Sequence, residues 1–138
     1  MLKSCGLLIV LGSLLLAGCS TMHIDQAIDE YTAVADQIQL GAKKADVLAV
    51  LLPTQQGLLQ SDRKMPETYR QGDITVEVYF MRAAFYMDGL VTDDEFMPYV
   101  FHNGELVGIG WQLLGGPKTQ GQSQPPSTII RGQSAIIY

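Results

Sequence analysis

Phe101-His102-Asn103-Gly104-Glu105-Leu106 is the stretch that decides the fold. Asn-Gly between apolar runs is the preferred type I′ hairpin turn, because both central positions need positive φ. A two-residue loop at Asn103-Gly104 fixes a register. His102 then faces Glu105, Phe101 faces Leu106, Val100 faces Val107 and Tyr99 faces Gly108. Pro98 falls at a hydrogen-bonded position that it has no N–H to fill, so a bulge or the end of regular pairing is expected there.

Upstream, Ile74, Val76, Val78 and Phe80 alternate with Thr75, Glu77, Tyr79 and Met81. A period of two marks a strand, and the pattern allows extension to Tyr86. Asp88-Gly89 opens a loop that runs through Asp93-Asp94-Glu95. Residues 54–68 are mostly polar and read as irregular. Before them, Ile24, Ile28, Tyr31, Ala35 and Ile38 recur at three- and four-residue steps, flanked by Val34, with Asp25, Asp29, Glu30 and Asp36 opposite. That spacing predicts a helix over 24–38, ended by Gly41. Val47, Leu48, Leu51 and Leu52 predict a second helix over 44–52, stopped by Pro53. The fold class is therefore α+β, a helical hairpin packed on a three- or four-stranded antiparallel sheet.

The first eighteen residues read as an address. Lys3 precedes an apolar run, and small residues follow at Ala17 and Gly18. This is the layout of a secretory signal peptide. The run from Gly6 to Gly18 is too short for a transmembrane helix, which needs about 20 residues. Leu16-Ala17-Gly18-Cys19 matches the bacterial lipobox. The match implies cleavage before Cys19 and attachment of acyl chains, palmitate among them, to that residue. Several acyl chains hold a protein on a bilayer far more firmly than one. Ser20, in place of the Asp that retains proteobacterial lipoproteins in the inner membrane, points to the outer membrane. Residues 1–18 are thus the signal peptide and 19–23 a lipidated tether with an extended reach of roughly 17 Å. Residues 24–114 are the α+β domain. Residues 115–138 form a flexible tail rich in Gly, Pro, Ser and Gln, ending in the apolar Ala135-Ile136-Ile137-Tyr138.

Composition narrows the chemistry. The chain has 138 residues, 9 Lys+Arg against 14 Asp+Glu, a net charge of −5 and 2 Cys. Nucleic-acid binding is disfavoured, since phosphate contacts need clustered cations. Cys5 leaves with the signal peptide and Cys19 is acylated, so thiol catalysis and cysteine metal sites are not expected. His23 lies against the membrane. His102 opposite Glu105 reads as a cross-strand polar pair, with no nucleophile motif beside it. Asp88, Asp93, Asp94 and Glu95 lack the spacing of a calcium loop and read as a solvated acidic loop. No serine lies in Gly-x-Ser-x-Gly, and no phosphate or dinucleotide motif is present. No enzyme activity, cofactor, metal or small-molecule substrate is therefore expected.

The sheet is more informative. Val78, Phe80, Val107 and Trp111 occupy one set of positions, and Tyr79, Met81, Tyr99 and Phe101 the other. A small sheet backed by helices usually has one polar face. The second apolar face is either covered by the chain's own loops and C-terminal end or is a partner surface. Tyr79, Met81, Tyr99 and Phe101 are the expected partner-binding residues, as the face turned away from the helices.

The segment Ile38-Gln39-Leu40-Gly41-Ala42-Lys43-Lys44-Ala45-Asp46-Val47-Leu48-Ala49-Val50-Leu51-Leu52-Pro53 is similar to the SmpA/OmlA (BamE-like) domain of small bacterial lipoproteins. Gly41, Val47 and Leu51 fit that family's pattern, and Leu52-Pro53 departs from its Leu-Gly-x-Pro. The Asn-Gly-Glu-Leu-Val hairpin end also fits. The resemblance implies a helix-pair-plus-sheet fold and a binding or scaffold role in envelope assembly or maintenance, with an envelope protein as partner. The same layout occurs in β-lactamase-inhibitor proteins, so inhibition of a periplasmic enzyme is the alternative. A carbohydrate hydrolase using Asp94 is the alternative from another class.

Overall fold

The computed structural model describes residues 19–117. The tail beyond, with its Ile129-Ile130 and Ile136-Ile137-Tyr138, lies outside the described residues. Helix α1 is described from Cys19 to Ala35 and α2 covers Lys44–Leu51. Strands β1 (Glu67–Gln71), β2 (Ile74–Arg82), β3 (Phe96–His102) and β4 (Glu105–Ile109) form one antiparallel sheet in the order β1-β2-β3-β4. Two helices on a four-stranded meander match the expected α+β class.

Helix α1 buries Ile24, Ala27 and Tyr31, with Ile28, Val34 and Ala35 half-buried beside them. The opposite side carries exposed acids and the Gln26–Glu30 hydrogen bond of 2.8 Å, one turn apart. Residues 19–23, expected as an extended tether, are instead the first part of this helix. The helix also stops at Ala35 rather than running to Ile38. Gln37 and Ile38 N–H close the last turn on the carbonyls of Val34 and Ala35. The chain then leaves to pair elsewhere. Gly41 N–H donates to Leu106 O at 2.8 Å, Leu106 N–H to Ala42 O at 2.9 Å, and Lys44 N–H to Gly104 O at 2.8 Å. Gly41, with φ +86°, therefore does not cap α1. It begins a short segment laid along the outer edge of β4.

Helix α2 buries Val47 and Leu51. Pro53 does not end it abruptly: a tighter turn continues over Leu52–Gln55, with Pro53 near its start, where a missing N–H costs least. Lys44 anchors the other end through a bidentate ion pair with Glu77 of β2, 2.8 Å to each oxygen.

The Asn103-Gly104 turn is as the sequence predicts, with φ +50° and +84°. His102 pairs with Glu105 and Phe101 with Leu106. The register then shifts. Val100 faces Gly108 and Tyr99 faces Ile109, so Val107 is the extra residue of a bulge. No bulge occurs at Pro98, which pairs with Phe80 in regular register. Its carbonyl accepts from Gly110 N–H at 2.8 Å, just beyond the end of β4. N and O of one strand residue point to the same side, so the N–H that Pro98 lacks faces a place where the ladder has finished.

Strand β1 begins with the last two residues of the stretch read as irregular at 54–68 and continues to Gln71. All five of its residues are exposed, so no alternation betrays it. Its link to β2 is the two-residue turn Gly72-Asp73, with φ +60° at Gly72 and no positive φ at Asp73. That is the type II′ arrangement with glycine first. Strand β2 ends at Arg82 and does not reach Tyr86.

The main core joins Tyr31, Val47 and Leu51 of the helices to Met81, Tyr99, Phe101 and Leu106 of the sheet. Within it the hydroxyls of Tyr31 and Tyr99 share a buried hydrogen bond of 3.0 Å. Burial, reinforced by that bond, raises the Tyr99 pKa well above its usual 10.0, and burial raises that of Tyr31. A raised folded pKa means the native state keeps a proton that the unfolded chain gives up. The stabilisation is full below pH 10 and is lost as pH climbs beyond it. Unfolding free energy should therefore fall above pH 10, by up to about 1.4 kcal/mol per pH unit for each group that titrates only when unfolded. Lys44, raised by its bond to Glu77, and Tyr69, raised by burial, add smaller effects of the same sign. Urea titrations between pH 8 and 11 check this: the Tyr31→Phe/Tyr99→Phe variant should lose most of the slope.

Candidate functional site

The four residues expected to bind a partner share one face, as their alternation requires, but it is the face under the helices. Met81 and Tyr99 are 1% exposed and Phe101 0%. Tyr79 is half-buried and meets Phe101 edge-on, with centroids 5.9 Å apart and planes at 86°. Tyr79, Met81, Tyr99 and Phe101 are therefore core rather than a free surface. A period of two tells which side chains share a face but not which neighbour covers it.

The other face is closed as well. Val76, Val78, Phe80, Phe96 and Val100 are buried there, with Ile74, Val107, Trp111 and Leu114 packed against them. Gly110, at φ +94°, turns the chain back so that Trp111 lies 5.7 Å from Phe80, centroid to centroid. Trp111 Nε1 donates to Phe96 O at 2.8 Å. Lys64 completes the cover, its Nζ 4.7 Å from the Phe80 ring centre and 2.6 Å from Asp93. A cation held over an aromatic face adds to such packing.

The acidic loop is not uniformly solvated. Glu95 is 0% exposed and pairs with Arg82, also 0% exposed, at 2.9 Å. Glu95 Oε1 also accepts from Tyr86 N–H, and Oε2 from Thr92 N–H, each at 3.0 Å. Arg82 Nη1 donates to Asp62 O at 3.2 Å, and the guanidinium carbon lies 5.6 Å from the Phe85 ring centre and 5.2 Å from that of Phe96. Gln55 Oε1 accepts from Arg82 N–H at 2.7 Å. This knot fixes both ends of the loop between β2 and β3. Thr92-Asp93-Asp94-Glu95 forms a capping box around a single helical turn, a signal present in the sequence as Thr-x-x-Glu. The remaining acids disperse: Asp88 accepts from Leu90 N–H, Asp93 pairs with Lys64, and Asp94 accepts from Thr92 Oγ1. Among the described residues no three His, Cys, Asp or Glu side chains are grouped to hold a metal ion. His102 and Glu105 remain cross-strand neighbours beside the turn.

Among the described residues two surfaces stand out for recognition. The first is the sheet edge at β1. The opposite edge is occupied by residues 41–44, whereas β1 pairs only with β2 among the described residues. The second is the end of the molecule where α1 starts. There Ile24, Ala27 and Leu58 form a separate small core, with Ile28 and Phe85 packed on it. No described helix is long and apolar enough to cross a membrane. No protein-family model matches the chain, and neither a curated protein nor a solved structure does.

Proposed function

We propose that the chain is a lipid-anchored binding or scaffold protein on the periplasmic face of the outer membrane, accessory to envelope assembly or maintenance. The observation that carries this reading is Leu16-Ala17-Gly18-Cys19 after a short apolar run. Among the described residues the acids of the 88–95 loop are dispersed or engaged in structural bonds, in keeping with a binding role. The helix–glycine–helix segment ahead of an antiparallel meander is in keeping with the SmpA/OmlA resemblance.

With both faces of the sheet packed, the partner site moves to the open edge at β1. Edge strands accept an added strand from a partner through main-chain bonds. Glu67 and Arg70 on this edge are the kind of charges that discourage indiscriminate pairing. A photo-crosslinking residue at Tyr69 or Arg70, introduced in whole cells, tests the reading. A discrete envelope-protein adduct is expected from these positions and not from Ala33, exposed on α1. Identical adducts at all three, or none at the edge, would remove the edge as the binding site.

A further inference from the structure

We propose that the loop after β2, residues 86–91, dips into the lipid surface beside the Cys19 anchor, so that the domain stands on the bilayer at two points. The proposal rests on the lipoprotein reading above. Four apolar side chains project from this loop. Met87 is 90% exposed, Val91 50%, Tyr86 47% and Leu90 39%. Isolated exposed apolar residues are ordinary, but a run of this size in one short loop marks a contact surface.

Its place in the fold says what it touches. Phe85, at the root of the loop, packs on Ile24, Ala27 and Leu58. Ile24 stands five residues along α1 from Cys19, about 7 to 8 Å along the helix axis. The loop and the acylated end are therefore at the same end of the molecule. Met22, two residues before Ile24, is 65% exposed, and Leu59, next to Leu58, is 59% exposed. The other end carries the turns at Gly72-Asp73 and Asn103-Gly104, linked by Asn103 N–H to Thr75 O at 2.9 Å. The nine residues of β2 separate those turns from the loop by roughly 30 Å.

The loop's shape suits shallow insertion. The Arg82–Glu95 knot holds its base, so little order is lost on contact. Asp88, its one acid, is folded onto Leu90 N–H at 2.9 Å. A tyrosine beside aliphatic residues fits the headgroup boundary. Asp25, Asp29 and Glu30 on α1 add no attraction for anionic lipid, so the contact is apolar and insensitive to salt.

The test uses the full chain made in bacteria and carried into vesicles of neutral phospholipid bearing an acyl-chain quencher. Met87→Cys is labelled with a polarity-sensitive thiol dye, and Gln71→Cys serves as the distant control. Acylation of Cys19 leaves one dye per molecule. The expected result is one dye per molecule, with emission quenched and shifted to the blue at 87 and unchanged at 71, as for a site about 5–10 Å into the boundary. One dye per molecule with 87 as solvent-exposed as 71 would overturn the loop contact alone. Protection of 87 in cells but not in protein-free vesicles would also overturn it, since a protein would then be the cover. Two dyes per molecule, or three where Cys5 is also retained, would show Cys19 unacylated and overturn the lipoprotein reading together with this proposal.

Discussion

Glu95→Gln will destabilise the domain by about 3–5 kcal/mol, because it leaves the Arg82 guanidinium buried without its counter-charge. Both side chains are 0% exposed, so no solvent screens the loss. The amide nearly preserves shape, so packing loss does not explain the effect. For a domain of this size that corresponds to a fall in Tm of roughly 15–30 °C. The paired replacement Arg82→Met/Glu95→Leu separates charge from structure. Removing both charges together should recover most of the loss, as buried pairs exchanged for apolar residues often do. Thermal unfolding of the three proteins checks this. A single variant as stable as the wild type would show that the pair is not what holds the loop.

Tyr99→Ala should cost a similar 3–5 kcal/mol, the usual range for truncating a buried aromatic. Tyr99 is 1% exposed, sits at the centre of the helix-facing sheet surface and is bonded to Tyr31. Tyr99→Phe keeps the ring but strands the Tyr31 hydroxyl, at about 1–3 kcal/mol. Urea unfolding should therefore rank wild type above Tyr99→Phe and Tyr99→Phe above Tyr99→Ala. A Tyr99→Ala protein of native stability would return this face to the surface and revive it as a partner site.

What the sequence reveals about this fold is what local chemistry determines. Asn103-Gly104 needs positive φ at both positions and has it. The alternation over Ile74–Met81 sorts side chains onto two faces correctly. It is silent on which face meets the helices: both carry large apolar groups, and the helices cover the set with Tyr79 and Met81 rather than the more apolar Val76, Val78 and Phe80. The bulge at Val107 is equally hidden, since any of Val100, Gly108 and Ile109 accommodates either register. Strand β1 escapes notice because Glu-Thr-Tyr-Arg-Gln has no apolar face to show; β2 alone makes it a strand. The end of α1 depends on residues 41–44 finding β4, some sixty positions away along the chain. Glu95 looks like one more acid in an acidic run. Only the fold brings Arg82 against it, although Thr92-x-x-Glu95 already announces a cap. For the candidate surfaces the division is the same. Leu16-Ala17-Gly18-Cys19, on which the proposed anchor rests, is a linear motif and is legible; the β1 edge and the position of the 86–91 loop beside α1 exist only after folding.

Metabolic labelling with an alkyne fatty-acid analogue decides whether Cys19 carries the proposed lipid anchor. Wild-type chain and Cys19→Ala are expressed in bacterial cells, captured and compared for incorporated label and for membrane association. Label and stable membrane association are expected for the wild type, and neither for Cys19→Ala. Equal labelling of the two, or a wild-type chain without label, would contradict the anchor.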